Sequence, residues 1–308
     1  MTTTRTAGSL LALLCALAVT ACSANTNATA NTNATAPDQP GQQTSAQQTP
    51  TKAPVTSTQR LSATPPPPYE VTVPERTRKT AQGFPVNTCV PDRLDPQVLS
   101  LTTSDGFHLP AIELGSGDRG ILLDHESGYY ICSWLDTAEK FAAKGYHVMV
   151  FEYRGHGAAQ KNNGSITGNF DTDTSAALAE LHRRGAKSML LGGASCGGSS
   201  ATRLAAKEPQ LVGLLILSSP SNCGGDSVTA IRKVTKPAFF AVEPDDYSGN
   251  MIGEVKKLYE ASGAPAADKH LEILPGGTHG TDMLRDPKTK DQLEKLIFDF
   301  VDSCFRRV

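Results

Sequence analysis

A serine set among glycines is the first feature with chemistry in it: Gly193-Ala194-Ser195-Cys196-Gly197, with Gly192 and Gly198 on either side. The apolar run Ser188-Met189-Leu190-Leu191 precedes it, and a helical pattern from Ser199 to Lys207 follows. A serine held at a sharp strand-to-helix turn has strained backbone geometry. Its neighbours must be glycine or small, and Gly193 and Gly197 meet that demand. The turn would present Oγ beside a helix N-terminus, where free N–H groups can hold a developing oxyanion. A phosphate loop would carry Lys where Gly198 stands, and the Gly-x-Gly-x-x-Gly spacing of dinucleotide sites is absent here.

A hydroxyl of high pKa needs a base, and the base needs a group to orient it. On an elbow of this type the partners follow in chain order, acid before histidine. His270 and His279 lie late enough. His270 opens the strand pattern Lys269-His270-Leu271-Glu272-Ile273-Leu274 and reads as structural or surface. His279 stands in Pro275-Gly276-Gly277-Thr278-His279-Gly280, a loop from which an imidazole can reach the nucleophile. The acid should follow the strand pattern Ala238-Phe239-Phe240-Ala241-Val242, where Glu243, Asp245 and Asp246 stand. Asp246, shortly before Gly249, is the expected acid and Asp245 its rival; Pro244-Asp245-Asp246 also reads as a plain turn.

The elements that must position these groups alternate between two periodicities. Strand patterns fall near 97–103, 107–114, 119–124, 146–152, 188–192, 211–217, 237–242 and 270–274. Helical patterns fall near 133–144, 173–184, 197–207, 251–262 and 288–304. Runs such as Leu211 to Leu217 are apolar throughout, as strands buried on both faces must be, so the expected class is α/β with a mostly parallel eight-stranded sheet flanked by helices. Gly145 and Gly185 sit where helices should end, and Phe298, Phe300 and Val301 give the last helix an apolar stripe.

The region 97–304 resembles the α/β-hydrolase superfamily, in the elbow, in the order of the later acid and histidine, and in Phe151-Glu152-Tyr153-Arg154-Gly155-His156-Gly157. That last segment is similar to the family's strand-end Tyr-Asp-Tyr-Arg-Gly-His-Gly, which shapes a loop near the pocket and leaves His156 structural. The resemblance implies that the turn His125-Glu126-Ser127-Gly128 carries an oxyanion donor. By that alignment the donors are the backbone N–H groups of Ser127 and Cys196, with Glu126 as the alternative to Ser127. Glu126 stands where the family usually has glycine, and a carboxylate aimed into the hole would oppose the oxyanion, so it should point away or serve the substrate. The stretch 218–236, where the family often carries a lid, suits a loop rather than a cap domain, and short acyl esters or polymers are then the expected substrates. Tyr129, Tyr130, Ser221, Asn222 and Tyr247 are expected at the pocket rim.

The rest of the chain speaks to compartment. Arg5, an apolar stretch Leu10 to Val19 too short to span a bilayer, and Val19-Thr20-Ala21-Cys22 resemble a bacterial lipoprotein signal. That resemblance implies cleavage before Cys22, a diacylglycerol anchor on its sulfur, and a domain held at the extracytoplasmic face of the cell membrane. Residues 22–82, with Ala-Asn-Thr-Asn-Ala-Thr twice and a run of prolines at 65–68, read as a disordered Asn/Thr/Gln/Pro-rich tether. The hydrolase domain is expected over 83–308. Of the seven cysteines, Cys15 would leave with the signal and Cys22 would be lipidated. An oxidising compartment then favours up to two disulfides among Cys89, Cys132, Cys196, Cys223 and Cys304. Cys89–Cys304 and Cys132–Cys223 are expected, with Cys196 free; Cys132–Cys196 is also open. No Cys-x-x-Cys or His-Glu-x-x-His spacing suggests a metal, no cofactor is expected, and a net charge of −2 gives no reason to expect nucleic acid.

Together these features predict a serine hydrolase of carboxylic ester or related acyl bonds, acting through an acyl-enzyme on Ser195, His279 and Asp246. An envelope acyltransferase would use the same residues. A non-catalytic ligand-binding lipoprotein on the same fold is the rival from outside enzymology.

Overall fold

The computed structural model describes residues 77–159 and 169–308. The leader, Cys22 and most of the tether lie outside them. The described chain begins with a small antiparallel hairpin, β1 (Thr77–Lys79) and β2 (Pro85–Asn87). Regular structure therefore starts ahead of Gly83, where the composition changes. Short strands of Thr, Arg and Lys carry little apolar signal and are ordered by pairing and by Arg78, which donates to the Val90 carbonyl at 3.0 Å.

The main sheet runs β3 (Val98–Thr102), β4 (His108–Leu114), β5 (Arg119–Asp124), β6 (His147–Phe151), β7 (Ser188–Ala194), β8 (Leu211–Leu217), β9 (Ala238–Val242) and β10 (Lys269–Ile273) in the chain. In space the eight strands lie in the order β10-β9-β8-β7-β5-β6-β4-β3. β4 is antiparallel to both β3 and β6, and all other neighbours are parallel. All eight expected strands are present, and the sheet is mostly parallel as expected. The central strands β6, β7, β8 and β9 are buried along nearly their whole length.

Helices cover both faces. α1 (Cys132–Ala143) and α6 (Lys290–Phe305) pack Trp134, Leu135, Phe141, Ile297 and Val301 onto one side of the sheet. α2 (Phe170–Arg183), α3 (Cys196–Ala205) and α5 (Met251–Ala261) pack Leu178, Leu181, Leu204, Val255 and Leu258 onto the other. Alternate residues of β9 divide accordingly, Phe239 and Ala241 to the first core and Ala238, Phe240 and Val242 to the second. This is the period-two signature of a strand between two layers. Between β8 and β9 lies only the one short helix α4 (Ser227–Ile231), with no cap domain.

The disulfides differ from expectation. Cys89 bonds Cys132, Cys196 bonds Cys223, and Cys304 is a buried free thiol. The N-terminal extension is thus pinned to the start of α1 rather than to α6. Cys304 instead fills the space above Gly213 of β8, where an added Cβ would come within 2.6 Å of its sulfur. Burial pushes its thiol up to about 12, which keeps it protonated and unreactive.

Candidate active site

Ser195 follows β7 directly and precedes the first residue of α3, with φ 50° and ψ −127°. A non-glycine residue with positive φ is strained, and the surroundings must enforce it. They do so by close backbone packing. A Cβ on Gly193 would come within 2.6 Å of Gly198 N, and a Cβ on Gly197 would overlap the carbonyl oxygens of Asp124 and His125. Ser195 N donates to the Leu217 carbonyl at 2.9 Å, while its own carbonyl accepts from Ser199 N at 3.1 Å and Ser219 Oγ at 2.9 Å. The elbow read from the glycines is therefore present in full.

Parallel strands place the other groups at the same sheet edge. Asp246 follows β9 and His279 follows β10, and both are buried. His279 Nδ1 lies 2.9 Å from each carboxylate oxygen of Asp246. Asp246 is thus the partner of His279. Asp245 is exposed and donates only its backbone N–H, to Gly276 O at 3.1 Å. His270 is exposed on the edge strand β10, its ring 6.3 Å from Phe300. Ser195 Oγ makes no hydrogen bond to His279; such bonds commonly tighten only when substrate is bound.

The end of β5, with the loop after it, touches both sides of this edge. Its Asp124 and His125 carbonyls lie against Gly197 of the elbow, and its Glu126 side chain lies against Gly280 of the histidine loop. Two neutral imidazoles brace it. His125 Nδ1–H donates to Glu126 O at 2.7 Å and its Nε2 accepts from Tyr153 N at 3.1 Å. Burial, then the neighbouring His156, lowers His125 to about 3. His156 Nε2 accepts from Gly128 N at 3.2 Å, so the imidazole of the Tyr-Arg-Gly-His segment is structural, as expected. Arg154 of the same segment is anchored by Asp173 at 2.6 Å and Asp105 at 2.6 Å.

Of the two expected oxyanion donors, Cys196 opens α3, where helix geometry leaves its N–H without an intrahelical partner. Ser127 is exposed at the turn. Glu126 is buried, its carboxylate accepting from Thr281 N, two residues past His279. At the expected rim, Tyr247 is 61% exposed with its ring 5.6 Å from that of His279. Tyr129 and Tyr247 both donate to Asp282 Oδ2, at 2.5 and 3.2 Å. Asn222 is exposed, but Tyr130 and Ser221 are buried and do not form a rim. Ser221 N is instead held by Glu254 at 2.8 Å.

Sequence reasoning weighed Glu243 only as a candidate acid. It is buried at the end of β9, where it accepts from Thr278 N at 2.6 Å and Thr289 Oγ1 at 3.2 Å. Burial raises its carboxyl above the ordinary range. The missed signal lies in the glycines around His279. A Cβ on Gly276 would strike the Glu243 carboxylate, and one on Gly280 that of Glu126. Among the described residues no group of three or more His, Cys, Asp or Glu side chains is arranged to hold a metal ion.

Residues 120–245 match the family described as serine aminopeptidase, S33. A 2-hydroxy-6-oxononadienedioate/2-hydroxy-6-oxononatrienedioate hydrolase from a Pseudomonas species is 27% identical over 121 residues, which is 38% of this chain and 42% of that protein. The match thus spans less than half of the relative's length. Among solved structures, an esterase from Pyrococcus furiosus superposes with a TM-score of 0.56 at 16% identity, covering 67% of this chain and 89% of that one. An esterase from Thermogutta terrifontis gives 0.55 at 16%, over 68% and 99%. A monoacylglycerol lipase from Paleococcus ferrophilus gives 0.55 at 15%, over 64% and 99%.

Proposed function

We propose, on the premise that this chain has the α/β-hydrolase fold, that it is a serine hydrolase of carboxylic esters with Ser195 as nucleophile, His279 as base and Asp246 as its orienting acid. The observation that carries the reading is the Asp246–His279 pair. The carboxylate takes Nδ1, so the proton-accepting Nε2 is left for a hydroxyl, and of the two positive-φ serines at this sheet edge, Ser195 and Ser218, Ser195 stands on the glycine-flanked elbow.

In this reading Ser195 Oγ attacks the acyl carbonyl as His279 Nε2 takes its proton. The tetrahedral oxyanion is held by the N–H groups of Cys196 and Ser127. Collapse breaks the bond to the alcohol, which leaves with the proton from His279. Water, deprotonated by the same imidazole, then releases the acid and restores Ser195. The names of the esterase and lipase neighbours agree with ester chemistry. The short stretch between β8 and β9, holding only α4, supports short acyl chains over long lipids buried under a cap.

The test pairs a fluorophosphonate probe with p-nitrophenyl acetate, butyrate and laurate. Wild-type protein should be labelled and should turn over acetate and butyrate faster than laurate, and Ser195→Ala should do neither. A folded wild type that takes no label would defeat the hydrolase reading and favour a binding protein. Laurate turned over fastest would defeat the short-chain specificity alone. We extend the proposal to location: an exported lipoprotein anchored through Cys22, which the disulfide pairs Cys89–Cys132 and Cys196–Cys223 support by their need for an oxidising compartment. Metabolic labelling with an alkyne fatty acid should mark the wild type and not Cys22→Ala; equal labelling of both would remove the anchor.

A further inference from the structure

The segment Asp124–Glu126 lies between the two halves of the candidate active site. Its carbonyls pack on Gly197 of the elbow, and its last side chain crosses to the histidine loop, where the Glu126 carboxylate accepts the backbone N–H of Thr281, two residues past His279. The other carboxylate oxygen is buried without a hydrogen-bond partner. Thr281 is also held by Arg285, whose Nη1 donates to Thr281 O at 2.9 Å and Oγ1 at 3.1 Å; its Nη2 donates to Ser133 O. Gly280, at φ 57°, leaves the space that the carboxylate occupies.

Burying a carboxyl with half its acceptors unused is costly. What the carboxyl supplies in return is a single strong acceptor joining two loops far apart in the chain. One loop carries the Ser127 N–H, adjacent to Glu126; the other carries His279. We propose, resting on the serine-hydrolase reading, that Glu126 is a positioning residue: it holds the oxyanion turn and the histidine loop at one spacing, so that donor and base address the same acyl carbon.

Glu126→Gln keeps an acceptor oxygen of the same reach, Glu126→Asp keeps the carboxyl but is too short for Thr281, and Glu126→Ala removes the acceptor altogether. With p-nitrophenyl butyrate, the Asp and Ala variants should lose kcat by roughly 10²-fold, as a misplacement near 1 Å does, while KM changes by less than about 3-fold. Glu126→Gln should stay within about 3-fold of wild type in kcat, because the bond to a backbone N–H needs an oxygen and not a charge. All variants would first be checked for cooperative thermal unfolding. If Glu126→Ala does not fold, the Gln and Asp variants decide the matter. Asp equal to wild type, Gln as poor as Asp, or a change confined to KM would each overturn the proposal. A wild type that neither labels with fluorophosphonate nor hydrolyses the ester would remove the hydrolase reading and this proposal with it. A labelled wild type matched by the Asp variant would remove this proposal alone.

Discussion

The two sides of the candidate site are built by different means. On the elbow side the constraints are covalent or made of backbone in contact with backbone. Gly193, Gly197 and Gly198 let strand, helix and the β5 loop touch, and Cys196, next to Ser195, is tied to the loop after β8 by its disulfide to Cys223. Arg203 of α3 holds that loop as well, donating to Cys223 O at 2.9 Å and Ser227 Oγ at 3.0 Å. On the histidine side nothing is covalent. His279 rides on a loop whose N–H groups are taken up by carboxylates, Glu243 at Thr278 and Glu126 at Thr281, with Asp246 on the ring itself. The difference assigns each side its own sensitivity. Ser195, the proposed nucleophile, is kept in place by rigidity, and its geometry answers to steric change and to reduction. His279, the proposed base, is kept in place by acceptors, and its geometry answers to their removal.

The sharpest way to break this comparison is at the acceptor on the ring. Asp246→Asn replaces one oxygen facing Nδ1 by an amide group and favours the wrong imidazole tautomer. We expect kcat to fall by about 10³–10⁴-fold. Thermal stability should change far less, because the fold around Ser195 does not depend on this side chain. Steady-state kinetics with a short ester, beside a melting curve, would check it; an activity loss under tenfold would mean that His279 is not oriented by Asp246.

The second test separates the two disulfides. They close stretches of 27 and 43 residues in sequence separation, and chain entropy assigns each about 3–4 kcal/mol. Cys89–Cys132 lies at the N-terminal edge and α1, whereas Cys196 supplies the expected oxyanion N–H. Urea unfolding should therefore show similar losses for Cys89→Ala/Cys132→Ala and Cys196→Ala/Cys223→Ala. Only the second pair should also lower kcat, by about tenfold or more, up to the 10²–10³ of a lost oxyanion donor. Equal kcat in the two double variants would mean that the elbow holds its shape through glycine packing and Arg203 alone.

The readable parts of the molecule were those with a local cause. Continuous apolar runs mark β7, β8 and β9 because both faces of each are covered, and glycine around Ser195 marks an elbow because backbone strain and close approach have few other solutions. Asp246 and His279 followed from being just past the right strands. What was not readable depended on contacts across the chain. Nothing near Cys196 says that its partner is Cys223 rather than Cys132, since both partners sit beyond strand ends, and only the fold fixes which sulfurs meet. Glu126 was visible as a departure from glycine, but its partner Thr281 lies far along the chain and contributes a backbone N–H that no side-chain pattern announces. The hairpin β1–β2 was missed because Thr77–Lys79 has no apolar alternation and is ordered by its neighbours.

A third test probes whether the elbow side is as indifferent to protons as its covalent ties suggest. Asp124, whose carbonyl packs on Gly197, has a fully buried side chain. One of its carboxyl oxygens accepts from Thr174 Oγ1 at 2.9 Å and the other has no partner. Burial pushes this carboxyl up to about 8, far above the ordinary aspartate value near 3.8. In the unfolded chain it ionises near the lower value. Between the two values the folded protein holds a proton that the unfolded chain has released. The contribution to stability is therefore fully present below about pH 4 and is lost as pH rises toward 8, at about 1.4 kcal/mol per pH unit. Asp124→Asn carries no such proton. Its stability relative to wild type, read from urea midpoints at pH 5 and pH 8, should shift in its favour by up to about 4 kcal/mol across that interval. A shift near zero would mean that Asp124 is ionised in the folded state already at pH 5. A shift of the opposite sign would mean that a cation-stabilised carboxylate lies under the elbow and that burial does not govern this group.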